Sequence, residues 1–506
     1  MKNKFVLLAI IIFCILFSFD IKAQSPEKEK FRPAFHFSPK AHWMNDPNGM
    51  VYSNGIYHLF FQYHPGGTTW GPMHWGHATS RDLFNWEEKP IALYPDSLGT
   101  IFSGSAVIDK DNTAGFGKNA MVAIFTHHNQ KIEDAKTGLH QYQSLAYSTD
   151  EGESWMKYKG NPVLPNPGIT DFRDPKVMWF EQGKKWIMTL ATKDRITFYS
   201  SPDLKSWKRE SDFGANLGAH GGVWECPDLF PLQSNGKTVW VLLVSINPGG
   251  PNGGSATQYF AGNFDGNKFT PYATKEKWVD YGADNYAGIT WSNTGDRKIF
   301  LGWMNNWLYA NQVPTKAWRG ATTIARELSL ENVGNDYYLR SVPVKEITPL
   351  LKSAYNKSNL LVGDKELDLS SKIKSLNGKF KLDIALEKAG TLDVILENKE
   401  GEQLVIGYDD QAKSYFIDRS KAGESSFEKE FANKHIAPRI ANSTNQKLSM
   451  VFDETSVELF SDNGLTVMTD IFFPTSHWNI LKIRTTGVKK LNNVSLWAIQ
   501  SKNSSE

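Results

Sequence analysis

Apolar and polar residues alternate strictly in the last third of the chain. Lys379-Phe380-Lys381-Leu382-Asp383-Ile384-Ala385-Leu386 and Ser456-Val457-Glu458-Leu459-Phe460 both have period two. That period predicts half-buried antiparallel strands with one polar face, so residues 360–506 read as a β-sandwich. The first two-thirds follow another pattern: a polar motif, an apolar strand, a turn, and a second apolar strand. Copies begin at Asp46, Ser103, Asp174, Glu225 and Asn285, roughly 50 to 70 residues apart. Strands dominate and no long amphipathic helix interrupts them. The chain is therefore all-β, with a five-bladed β-propeller expected over 24–341. Val342-Pro343 and Thr348-Pro349 mark a linker with a short helix, expected over 342–359. In a propeller the first strand of each blade lines the axis, so motifs at strand starts converge on one pocket.

A shorter repeat runs inside this pattern. Ser80-Arg81-Asp82-Leu83-Phe84-Asn85-Trp86 has the form S-x-D-x3-W, Ser148 to Trp155 repeats it with one extra residue, and Ser201 to Trp207 restores the spacing. Asn263 to Phe269 is a degraded fourth copy. Asp beside Gly or Ser favours a tight turn, and the aromatic then covers the following strand. These motifs read as turn and packing devices with no chemistry of their own.

The first residues read as an address. Lys2 and Lys4 precede an apolar run from Phe5 to Phe19, followed by Ile21-Lys22-Ala23-Gln24. This is the pattern of a secretory signal over 1–23 with cleavage after Ala23, which implies a secreted or periplasmic protein. The run is short for a membrane span and none appears later, so no membrane association is expected of the mature chain. Removing 1–23 takes three Lys and one Asp from 56 basic and 54 acidic residues, and the mature chain becomes neutral. No basic block is present, so nucleic acid is not an expected partner. One cysteine, Cys226, is left, which excludes an internal disulfide and cysteine-rich zinc sites. Nothing in the sequence specifies an oligomeric state.

Three of the five proposed inner strands start at an acid: Asp46, Asp174 and Glu225. Proline follows the first two directly, and Cys226-Pro227 follows the third. Acids clustered in a pocket cost repulsion and desolvation, and folds keep them mainly for metal binding or for proton and covalent chemistry. His64, His74 and His77 are close in sequence but lack a metal-binding helical pattern, so neither a metal nor a cofactor is expected. Paired carboxylates in a chain with 17 Trp, 18 Tyr and 30 Phe point to glycoside hydrolysis. The plainer alternative is that these acids only cap strands.

Trp43-Met44-Asn45-Asp46-Pro47-Asn48-Gly49, Phe172-Arg173-Asp174-Pro175 and Trp224-Glu225-Cys226-Pro227 together resemble the motifs of glycoside hydrolase family 32, which contains invertases, inulinases and levanases. Phe60 to Pro65, Trp75-Gly76-His77, Phe102 to Ser105 and Pro314 to Gly320 fit it as well. The match is close over 35–340 and weaker in the sandwich. The resemblance implies a five-bladed propeller followed by a sandwich, no cofactor, and a fructan or fructo-oligosaccharide substrate cleaved with retention. It also implies roles. Asp46 would be the nucleophile, Glu225 the general acid and then base, and Asp174 the group that holds fructose hydroxyls. Arg173 would orient the carboxylates. Trp43, Met44 and Asn45 belong to the first motif, and Asn45, Gln62, Ser103, Trp70, Phe102 and Trp318 would form the fructose-binding wall.

One segment departs from the family pattern. Asp280-Tyr281-Gly282-Ala283-Asp284-Asn285-Tyr286-Ala287 keeps the acid, glycine and Tyr-Ala, but relatives commonly carry Lys near Ala283 and an aromatic near Asn285. These positions are expected to shape the outer pocket and the leaving-group preference. Release of fructose from chain ends of levan or inulin is the favoured activity, with sucrose as a further substrate. Internal cleavage of levan and fructosyl transfer are the alternatives within this class. A sialidase reading lacks its arginine cluster, and a non-catalytic fructan-binding protein would not need three acids.

Overall fold

The computed structural model describes residues 29–362, 366–488 and 490–500. The apolar run and Ala23 lie outside them. Five antiparallel sheets follow one another along the N-terminal part. Their first strands are His42–Ser53, Thr100–Asp109, Phe172–Phe180, Val223–Ser234 and Tyr286–Thr290, and these touch one another in a closed ring. Each proposed repeat start falls in one of these strands or, for Asn285, immediately before one. Burial declines outward. Ala120–His128, a second strand, is buried throughout, whereas the fourth strands Trp86–Leu93 and Lys208–Phe213 are mostly half-buried or exposed. This is a β-propeller. Its ring is closed by Trp318–Arg319, which pairs in parallel with His42 and Trp43. Gly320 makes the approach possible, because with φ of +92° a Cβ there would stand 2.1 Å from the Met44 carbonyl oxygen.

The short repeat lies between the third and fourth strands of the first four sheets. Ser80 Oγ accepts from the Leu83 amide at 2.8 Å, and Asp82 Oδ1 accepts from the Asn85 amide at 2.8 Å. Ser148 and Asp150 do the same for Gly152 and Ser154, and Ser201 and Asp203 for Asp203 and Ser206. Trp155 and Trp207 each donate the indole N–H back to a carbonyl of their own turn. The side chains supply hydrogen bonds that a tight connection cannot obtain from a ladder.

Two six-stranded antiparallel sheets form the C-terminal sandwich, and their inward residues, including Leu382, Ile384, Leu396, Ile406 and Leu481, make one core. The alternation of Phe380–Leu386 appears directly in its burial. Ser456–Ser461 differs, being buried on both faces. Its polar side faces the propeller and not solvent, and there Glu458 receives Arg326 (2.9 Å from Nε) and His36 (2.9 Å). The linker expected over 342–359 is also different. Lys345–Leu350 is a 3-10 helix, but Leu351–Leu361 is a strand of the sandwich paired with Lys490–Ile499. It is an exposed strand of mixed polar residues, so it carries no period-two signal.

A buried ionic network joins the two domains. Arg326 bridges Asp280 (2.8 Å) and Glu458, and His36 lies between Asp453 (2.8 Å) and Glu458. Arg419 donates to Asp284 at 2.6 Å, and Asp284 also accepts from Tyr309 Oη at 2.6 Å. Burial favours the neutral form of His36, but hydrogen bonds and charge from Asp453 and Glu458 win and raise its pKa to about 9. The folded value exceeds the unfolded one, so this stability is complete below about pH 6.5 and is lost as pH rises through about 9. Chemical denaturation should therefore find the protein less stable at about pH 9.5 than at about pH 6, by about 3 kcal/mol from this group. A stability that stays level over that window would count against the network.

Candidate active site

Every inner strand carries a β-bulge at the same level. Pairing with the second strand skips between Met44 and Pro47, Ile101 and Gly104, Arg173 and Lys176, Glu225 and Asp228, and Tyr286 and Ile289. Asp174, Cys226 and Ala287 have positive φ, at 62°, 44° and 52°, a conformation that non-glycine residues hold only when their surroundings fix it. The bulges lie where the acids lie.

Asp46 accepts from three neutral donors. Asn45 Nδ2 donates to Oδ1 at 2.9 Å, and Ser103 Oγ and the Cys226 thiol donate to Oδ2 at 2.7 and 3.5 Å. Asn45 is itself fixed by the Trp43 indole N–H, 2.7 Å from its Oδ1. Asp174 Oδ2 accepts from the Cys226 amide at 3.0 Å, and the Cys226 sulfur stands 3.6 Å away. One thiol thus lies between two carboxylates. Glu225 has a different set of donors: Arg173 Nε and Nη2 reach its Oε1 at 3.1 and 2.9 Å, and Tyr286 donates to its Oε2. Arg173 is also held by Asp171 Oδ1 at 2.6 Å.

Burial raises the Asp46 pKa and Glu225 adds to it, while Ser103, Asn45 and Cys226 pull the other way. Burial pushes Asp174 up to about 7; Arg173 opposes this, and Glu225 and Asp46 reinforce it. Burial, with Asp174, Asp46 and Glu225 around it, keeps the Cys226 thiol neutral and hence a donor. Three carboxylates facing one guanidinium is an arrangement suited to proton and covalent chemistry.

The other expected site residues divide into two groups. Trp43 and Met44 are fully buried, and Trp43 packs on Trp303 and Trp307 at 5.9 and 5.8 Å. Trp43 supports Asp46 indirectly, through its hydrogen bond to Asn45. Gln62 is buried with no partner for Nε2 among the described residues, leaving a donor unused. Trp70 is 45% exposed and meets the Phe102 ring edge-on at 6.2 Å. Trp318 is buried beneath the Arg32 guanidinium, 4.8 Å from its ring, and no hydrogen bond or ring contact among the described residues links it to the acids.

Tyr286, Cys226 and Asp171 were not expected as partners of the acids. Tyr286 could have been found from its position, since it starts an inner strand as the acids do. The structure also moves the altered segment. Ala283 and Asn285 are 4% and 2% exposed; the Ala283 amide donates to Asp470 of the sandwich, and Asn285 donates to Asp280. They lie in the interdomain junction and not on the outer pocket, because Asp280 and Asp284 on either side anchor the ionic network.

Comparison with known proteins agrees with this architecture. Residues 36–343 match the model of the Glycosyl hydrolases family 32 N-terminal domain, and 346–498 match that of the family's C-terminal domain. The chain is 45% identical over 493 residues to a levanase of Bacillus subtilis, covering 94% of this chain and 71% of that one. It is 39% identical over 505 residues to an extracellular exo-inulinase of Aspergillus niger, covering 91% and 92%. The crystal structure of exo-inulinase from Aspergillus awamori superposes with a TM-score of 0.85 at 36% identity, covering 94% of this chain and 99% of that one. With both of its domains matched in order, the chain belongs to glycosyl hydrolase family 32.

Proposed function

We propose that the protein is a secreted fructan β-fructosidase that releases fructose from the ends of levan or inulin with retention at the anomeric carbon. The observation that carries this reading is the convergence of the acids of the three family motifs: Cys226 meets both Asp46 and Asp174, and Arg173, beside Asp174, holds Glu225, so two carboxylates face one space as glycoside hydrolysis requires. Asp46 attacks the anomeric carbon of the terminal fructosyl unit while Glu225 protonates the departing oxygen. Glu225 then takes a proton from the water that breaks the fructosyl–Asp46 ester. Asp174 holds fructose hydroxyls, and Arg173 keeps Glu225 aimed. Asn45, Gln62 and Ser103 supply polar contacts to the sugar, and Trp70, Phe102 and Trp318 its apolar wall. Export through a signal peptide over 1–23 fits a polymeric substrate outside the cell. The propeller over 24–341 carries the chemistry, and the C-terminal domain supports it.

Asp46→Ala should lower kcat by about 10⁴-fold or more with the fold unchanged by circular dichroism. A folded variant that still hydrolyses fructan removes Asp46 as nucleophile. Glu225→Gln should lose activity on poor leaving groups while retaining more on activated ones. Tyr286→Phe leaves one Glu225 oxygen without its donor and should cost about 1.5–3 kcal/mol, or roughly ten- to a hundredfold in kcat/KM. Products from levan and inulin, separated over time, test the mode of action. Free fructose should appear from the first minutes; oligosaccharides alone at that stage would replace the exo reading with internal cleavage.

A further inference from the structure

Beside the acid pocket, one hairpin assembles a cluster that the proposed reaction does not use. Ala120–His128 and Gln141–Ser148 pair as neighbouring strands, with His128 opposite Gln141. His140 directly precedes Gln141, and the Asn129 amide donates to the His140 carbonyl at 2.8 Å, closing the loop between them. Asn129 caps the short helix Gln130–Asp134, which turns Glu133 back over both histidines. His128 Nε2 lies 3.1 Å from one Glu133 oxygen, and His140 Nε2 lies 3.7 Å from the other. One ligand atom from each residue fits within a 4.8 Å span.

His140 supplies an independent observation. Its side chain is 6% exposed, its Nδ1 has no hydrogen-bond partner among the described residues, and its Nε2 is beyond hydrogen-bond reach of Glu133. A buried imidazole without a partner implies a missing one. Gln130 Nε2 donates to Glu133 at 2.9 Å and so orients the carboxylate, as hydrogen-bond partners of metal-binding carboxylates do.

We propose that His128, Glu133 and His140 form a binding site for a divalent transition metal of the zinc type. Two imidazoles and one carboxylate suit zinc and leave a coordination position open, whereas calcium and magnesium prefer oxygen alone. Without the ion, Gln141 Nε2 faces His128 Nδ1 at 3.4 Å, its Oε1 being held by the Phe172 amide at 2.8 Å. Metal on Nε2 moves the His128 proton to Nδ1 and makes this amide draw back, which moderates the affinity. Phe102 stacks on His128 at 4.3 Å and 4°, so an ion here would stiffen the aromatic rim without entering the acid cluster. The pattern escaped sequence reading because the ligands lie on a strand end, a short helix and a loop.

The test is zinc binding to the full, tag-free protein after chelator treatment, by calorimetry and equilibrium dialysis. One equivalent should bind, with binding lost in His140→Ala and weakened about tenfold or more in Glu133→Gln. Glu133 is 43% exposed, so its variant should keep the fold. Cobalt should give the visible bands of a low-coordinate site in the parent and not in either variant. A parent protein that takes up no zinc, or a Glu133→Gln protein that binds it equally well, overturns the site.

Discussion

A regular strand sends successive side chains to opposite faces of its sheet. In a propeller that rule would leave a single inward residue at the mouth of each inner strand, with its neighbours buried between blades. The bulge repeated in all five inner strands breaks the rule at one level. An inserted residue re-aims the strand, and neighbours in sequence can then act on the same space. Arg173 reaches Glu225 while Asp174 faces the Cys226 amide, and Glu225 meets Arg173 and Tyr286 while its neighbour Cys226 meets Asp46 and Asp174. Positive φ at Asp174 and Cys226 is the local cost. The packed ring of inner strands offsets it, which makes the precision of the site a property of the whole propeller.

Burying even one carboxylate is costly, so three need compensation, and it comes in two kinds. A single cation, Arg173, engages Glu225 directly. Neutral donors, two of them on neighbouring strands, engage Asp46 and Asp174. A second cation in the pocket would neutralise the cluster more fully and would also hold both acids in the same state. The Cys226 thiol is useful here because it donates weakly to either carboxylate and carries no charge. The same economy is absent from the interdomain junction, where Arg326, Arg419 and His36 meet Asp280, Asp284, Asp453 and Glu458 away from solvent. That junction holds geometry and needs no titration, so full ionic pairing serves it.

Much of this was legible in the sequence because it is local. The acid-and-proline strand starts, the Ser-Asp turns with their Trp covers, and the period-two strands each declare themselves within ten residues or so. The family motifs point to Asp46, Asp174 and Glu225, which the fold brings to one level of the inner strands. What escaped is non-local. Asp280 and Asp284 resemble pocket residues until Arg326, Thr469 and Arg419 are seen beside them. The Tyr286 hydroxyl is one phenol among eighteen tyrosines until Glu225 meets it. Ser456 and Glu458 alternate like a solvated face, and only the docked propeller shows that this face is covered. Bulges are a matter of register between two strands, and no single strand's composition records them.

The strand Trp318–Arg319 closes the ring by pairing with His42 and Trp43, and this sets an order of events during synthesis. Asp46 leaves the ribosome early, but the segment that holds its strand from the other side is made only after every inner strand has appeared. Until then the His42 end of the first strand lacks the neighbour it pairs with, although its Val51 end already meets Ser292. The strand that carries Asp46 is among the first parts of the propeller to be made, and it gains its last pairing partner only when nearly the whole domain is available.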